Sequence, residues 1–160
     1  MYLKIDKSLF MMTFGADANY HAELEGQETY LNRADGSLVY TVSDPEKVAW
    51  EIGESAVEDL LENTTLIIEN PEQYLKIPSM FHDEHHAVMQ GFLSSKWIED
   101  QAVRDEATNV YYPRKSIGYW IANVGNQSAI DAYFAYREAE NLRLAEIFLG
   151  ENGIFDYKWK

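Results

Sequence analysis

The sequence predicts an α+β fold: an N-terminal β-hairpin or small antiparallel sheet packed on a helix-rich C-terminal half. Three observations carry that expectation. Two β-prone runs, Glu28 to Asn32 and Ser37 to Val42, flank Arg33-Ala-Asp-Gly36, whose Asp-Gly pair supplies a hairpin turn. In the second half, apolar side chains recur at three- and four-residue spacing through successive segments. The chain is also 46% hydrophobic, with 11 Tyr, 7 Phe and 4 Trp, ample material for a core. At 160 residues without a Gly/Ser/Pro-rich linker, one domain over residues 1–160 is expected.

Taken in order, the start from Met1 to Phe14 holds an apolar run, Leu9 to Phe14, broken by Thr13 and preceded by Asp6. It is too short for a signal-peptide core, and Ala16-Asp17-Ala18 resembles a cleavage site only by composition. The hairpin comes next, with Gly36 taking the positive φ that other residues resist. Two strands alone are marginal in water. Thr65 to Ile68, Tyr74 to Ile77 and Phe155 to Trp159 are therefore candidate partners. Between them Ser43-Asp44-Pro45-Glu46 opens a helix, because Ser or Asp caps free N–H groups and proline has none to orphan. Ala49, Ile52, Ala56, Val57, Leu60 and Leu61 continue it at helical spacing, and Gly53 weakens or splits it.

Beyond residue 80 the spacing predicts helices over about 83–94, 97–108, 116–124 and 128–149. Ser128-Ala-Ile-Asp131 resembles a capping box for the last of these. Its apolar stripe is Ile130, Phe134, Leu144, Ala145 and Phe148, and Gly150 or Gly153 terminates it.

The formal charge of −14 is the opposite of the basic footprint that nucleic-acid binding requires. Direct contact with nucleic acid or with an anionic membrane surface is therefore not expected. No stretch is long and apolar enough to span a bilayer. With no cysteine, a reducing compartment is the expectation, and the chain reads as cytoplasmic.

The order of several short motifs is familiar. Tyr30 to Val39 followed by Ser43-Asp44 resembles the N-terminal hairpin of the bacterial UPF0158 family. Gln73 to Pro78, Met89 with Phe92, Tyr133-Phe-Ala-Tyr-Arg137 and Glu151-Asn-Gly-Ile154 are similar to later segments of that family. The resemblance covers most of the chain from residue 28 onward. It implies an α+β domain and brings no established activity with it. The departures are local: Tyr112-Pro-Arg-Lys-Ser-Ile117 stands where the family has a Gly-Arg-Gly-x-Phe turn, and Tyr133 and Phe148 replace tryptophans.

Little in the sequence points to catalysis. There is no cysteine nucleophile, no Gly-x-Ser-x-Gly elbow and no glycine-rich phosphate loop, so no cofactor is implied. His82-Asp-Glu-His-His86 places His82 and His86 one turn apart, a spacing that metal pairs use. A third ligand is lacking unless His21 supplies it, and a solvated helix face is the simpler reading, so no metal site is assigned.

Two constellations remain. Glu51, Glu54, Glu58 and Glu62 fall on one face of a continuous helix, and no Lys or Arg occurs from Val48 to Leu75. That stripe is either a solvated outer face or a docking surface for a basic protein partner. In the second case it could imitate the phosphate array of a nucleic acid. The alternative is a small-molecule site, or an enzyme, built on Tyr111, Arg114, Lys115, Tyr133 and Arg137, since arginine beside aromatics holds planar anions. More often such a residue packs its stem on the core, and Arg137, three residues beyond Phe134 and beside the apolar stripe, is read first as structural.

Overall fold

The computed structural model describes residues 2–15, 27–47, 49–79 and 82–160. The Ala16-Asp17-Ala18 triplet and His21 lie outside them. Elements run β1 (Leu3–Ile5), α1 (Lys7–Phe14), β2 (Glu28–Asn32), β3 (Leu38–Thr41), α2 (Ala49–Ile52), α3 (Glu54–Glu69), β4 (Tyr74–Lys76), α4 (His82–Leu93), α5 (Gln101–Asn109), α6 (Ile117–Asn123), α7 (Gln127–Glu151) and β5 (Tyr157–Trp159). The fold is α+β, with its antiparallel strands toward the N-terminus and a helix-rich C-terminal half. The chain divides into two compact units, residues 1–79 with 147–160, and residues 80–146. No helix of the described residues is long and apolar enough to cross a membrane.

In the first unit the predicted hairpin forms as β2 and β3, with Tyr30 opposite Val39 and Leu31 opposite Leu38. β4 adds to the other edge of β2, antiparallel, with Leu31 opposite Leu75. Period-two alternation sends Thr29 and Leu31 of β2 inward. On the other face the Tyr30 hydroxyl donates to Glu28 at 2.7 Å and Lys76 pairs with the same carboxylate at 2.9 Å. Both contacts hold the Glu28 carboxyl below its usual range, the tyrosine bond most of all. Burial, with the carboxylate beside it, pushes the Tyr30 phenol up to about 12.

Two strand expectations change. Thr65 to Ile68 is the last part of α3 and not a strand. A short apolar run has no period of its own to choose a state. The side chains just before it choose instead: Asn63 donates to the Tyr40 carbonyl at 2.9 Å, and the Thr64 and Thr41 hydroxyls meet at 2.6 Å. The C-terminal run does form a strand, β5, but it pairs in parallel with β1 and not with the hairpin. The start of the chain is thus structural. Asp6 caps α1 by accepting from the Leu9 N–H, and α1 places Phe10 against Phe14 and Trp159.

The helix opened by Asp44 is also divided. Asp44 caps only a turn, accepting from the Lys47 N–H at 3.2 Å. Gly53, at φ +83°, separates α2 from α3. At the far end, α7 closes in a Schellman motif on Gly153 (φ +76°). Ile154 N–H reaches the Leu149 carbonyl at 2.9 Å and Gly153 N–H the Gly150 carbonyl at 3.0 Å.

The second unit is built around an aromatic core of Phe92, Trp120 and Tyr133, mutually edge-to-face at 5.5–6.2 Å. Met89, Ile98, Ala107, Val124 and Ala129 complete it. The Trp120 indole N–H would be an orphan there, and it donates to the Ala107 carbonyl at 2.8 Å. α5 begins later than the periodicity suggests, because Asp100 caps it through the Ala102 and Val103 N–H groups and leaves Trp97 and Ile98 in the preceding turn. The cap of α7 is Asn126, accepting from Ala129 N–H at 3.0 Å, in place of the expected Ser128 box. Its buried line is Ala129, Tyr133, Asn141, Ala145 and Leu149. Of the expected stripe Ala145 belongs to it, Ile130 packs partly buried against the core and Phe148 meets Phe14, whereas Phe134 is exposed.

Gly36 and Gly53 share a φ of +83° but not their surroundings. A Cβ on Gly36 would lie 2.7 Å from the Lys4 backbone oxygen, whereas one on Gly53 meets nothing within 4 Å. Gly53→Ala should cost about 1 kcal/mol from backbone strain alone. Gly36→Ala should cost at least about 3 kcal/mol, because backbone cannot step aside as a side chain can. Urea unfolding of both variants against the wild type measures the difference.

Candidate functional site

Two arrangements meet the sequence expectations, one in each unit. In the first unit, α3 rests Val57, Leu60, Asn63, Thr64 and Ile67 toward the sheet side and leaves Glu54, Glu58 and Glu62 exposed on the opposite side. Glu51 is exposed as well, but it belongs to α2, so the single four-residue line expected of a continuous helix is interrupted at Gly53. None of the four glutamates has a cation partner among the described residues.

The acidic face is not purely polar. Leu61 and Ile68, seven residues apart and so on one side of α3, border it, and Ile68 is 72% exposed. Trp50 on α2 is 82% exposed. A solvated outer helix face normally keeps large apolar groups inward. The sequence reading missed them because it counted Leu61 in the apolar stripe, took Ile68 as part of a strand and left Trp50 unassigned.

In the second unit, three of the five residues expected to form a ligand site come together. Arg137 lies over the rings of Tyr133 and Phe134, its guanidinium carbon 5.9 and 5.0 Å from their centroids. Tyr133 and Tyr111 are close enough to interact electrostatically. Burial pushes the Tyr133 phenol up, and the Arg137 guanidinium acts against that shift. Burial also raises Tyr111, whose hydroxyl meets His86 Nδ1 at 2.6 Å.

Arg114 and Lys115 go elsewhere. Lys115 sits over the Tyr119 ring at 5.3 Å, and Tyr119 packs edge-to-face on Tyr112. Arg114 is exposed and makes no hydrogen bond or ion pair among the described residues. Pro113 turns the chain here, so neighbours in sequence part in space.

Of the histidine cluster, His85 and His86 do not lie on a solvated face. His85 and His86 are buried, and His86 is engaged with Tyr111. Among the described residues no group of three or more His, Asp or Glu is placed to hold a metal ion. One feature of α7 escaped the sequence reading altogether. Asn141, only 5% exposed, keeps its Oδ1 buried without a hydrogen-bond partner. Its spacing, four residues beyond Arg137, was the available signal.

Repulsion along α3 makes a direct prediction. Glu58 has a like charge four residues away on either side, each pair unfavourable by a few tenths of a kcal/mol. Glu58→Lys should therefore stabilise the protein by about 0.5–1 kcal/mol at low ionic strength. The gain should shrink as salt screens the exposed charges. Thermal unfolding at two salt concentrations checks both statements. No family model matches the chain, and neither does any curated protein or solved structure.

Proposed function

We propose that this chain is a non-enzymatic interaction domain of UPF0158-like type, whose α2–α3 surface docks a basic protein partner. The observation that carries the reading is the pairing of unneutralised Glu51, Glu54, Glu58 and Glu62 with exposed Trp50, Leu61 and Ile68. Solubility accounts for the carboxylates alone. It does not account for an 82% exposed tryptophan beside them. Interfaces combine aromatic anchors with a charged rim that speeds encounter and sets register. The partner's contact surface is accordingly Lys- and Arg-rich with apolar side chains between the charges. Where that partner normally grips nucleic acid, the glutamates stand in for phosphates.

The test is capture of proteins from native-host lysate by wild-type chain, by the four-Glu variant (E51K, E54K, E58K, E62K) and by Trp50→Ala. A basic protein retained by the wild type should be lost with the charge reversal and in high salt. Trp50→Ala should weaken its retention at every salt concentration, because an apolar anchor is not screened. Retention unaffected by either substitution would refute the assignment of this face. If the partner also binds nucleic acid, competition between the two supports phosphate imitation, and simultaneous binding removes it.

A further inference from the structure

We infer that Asn152 is a spontaneous modification site, a deamidation centre that the C-terminal cap of α7 and Arg33 together hold closed. It is the only asparagine of the chain followed by glycine, in Glu151-Asn-Gly-Ile154. In such a pair the glycine peptide nitrogen attacks the asparagine side-chain carbon Cγ. An N–Cγ bond forms, the Cγ–Nδ2 bond breaks, and ammonia leaves with the peptide proton. Water then opens the five-membered imide at one of its two carbonyls, giving aspartate or isoaspartate. Glycine favours the attack because no Cβ obstructs its nitrogen. Gly153 is exposed, so water reaches the imide.

Three sets of contacts keep the reacting atoms apart. The Asn152 Nδ2 donates to the Phe148 carbonyl at 2.8 Å, which turns the side chain back along α7 and away from Gly153. The Gly153 N–H is committed to the Gly150 carbonyl at 3.0 Å, and that of Ile154 to the Leu149 carbonyl at 2.9 Å. These two bonds close the Schellman motif and fix the peptide plane between residues 152 and 153. Ring closure requires that plane to turn. The third contact opposes the turn from outside the helix: Arg33, just beyond β2, donates to the Asn152 carbonyl oxygen at 2.6 Å. A guanidinium on that oxygen also acidifies the adjoining N–H and so favours the nucleophile, but only in an orientation the ring cannot use. Geometry outweighs that electronic effect, and Arg33 acts as a restraint.

Reaction is therefore confined to moments when the cap opens locally, and its rate follows the open fraction. Conversion is one-way. It adds a carboxylate near exposed Glu151 and Asp156, in a chain already at −14. The isoaspartate form also lengthens the main chain by one methylene, so the bonds of Gly153 and Ile154 cannot both re-form. Ile154 is buried, and β5 begins three residues later in its pairing with β1. The loss is thus felt where the two ends of the chain meet.

The experiment incubates the full chain at mildly alkaline pH and follows residue 152 by peptide mass mapping, with aspartate and isoaspartate separated by chromatography. Amide exchange of Gly153 and Ile154 is read in parallel by NMR. Folded wild type should convert at least about tenfold more slowly than the same chain unfolded in urea. Arg33→Ala should convert at least about threefold faster than folded wild type, with Gly153 exchange rising in step. The isolated isoaspartate form should melt below the unconverted protein. Conversion of folded wild type as fast as the unfolded chain would overturn the inference. So would an unchanged or slower rate in Arg33→Ala, or no conversion even in urea. Should Arg33→Ala fail to fold, wild type in urea below its unfolding transition decides: conversion and Gly153 exchange should rise together, and exchange rising without conversion removes the idea.

Discussion

With 27 Asp and Glu against 13 Lys and Arg, most carboxylates in this chain have no cation to pair with, and that imbalance shapes everything on its surface. Where a cation is present, its use is local and specific. Lys76 crosses from β4 to Glu28 on β2 and so ties the third strand to the hairpin. Arg143 answers Glu140 within α7. Exposed pairs of this kind contribute little, about 0–1 kcal/mol. Stability must therefore come from apolar burial and hydrogen bonding, and the charges are left free to serve solubility or recognition.

Burial is arranged separately in the two units. In the first, Ile5, Phe10, Leu31, Ile77 and Ile154 are buried, drawn from strands, helices and turns far apart in sequence. The parallel β1–β5 pairing brings the ends of the chain side by side, and such long-range closure is entropically demanding. Gly36, pressed against the Lys4 backbone, couples the hairpin turn to that pairing. In the second unit the core is centred on three aromatic rings, and the Trp120 indole N–H is satisfied inside it by the Ala107 carbonyl. An aromatic core with fixed edge-to-face geometry is a stiff platform.

The two surfaces differ in how their chemistry arises. The acidic face exists because α3 has a clear two-sided pattern, and its outward side simply collects glutamates. Its apolar border exists because Trp50, Leu61 and Ile68 have no place against the sheet. The Arg137 arrangement arises differently, from a loop at Tyr111 returning to a helix that begins sixteen residues later. One is a property of a single helix, the other of tertiary packing.

That distinction also separates what the sequence by itself determined from what only the tertiary structure decided. Local codes sufficed for the hairpin, because Asp-Gly selects its turn, and for the existence of α4 to α7, because their apolar spacing has one period. They sufficed for the outward glutamates of α3 too. Local codes could not place Thr65 to Ile68, since so short an apolar run suits helix or strand and the contacts of Asn63 and Thr64 with β3 made the choice. Nor could they pair β5 with β1, because a short alternating strand carries no mark of its partner. Helical spacing from Phe134 already set Arg137 beside the apolar stripe and marked it, before Arg114, as the one to pack; Arg137 rests on Tyr133 and Phe134, while Arg114 is exposed. Adjacency along the chain ends at Pro113. Contact across it is set by packing, and packing is a property of the whole unit.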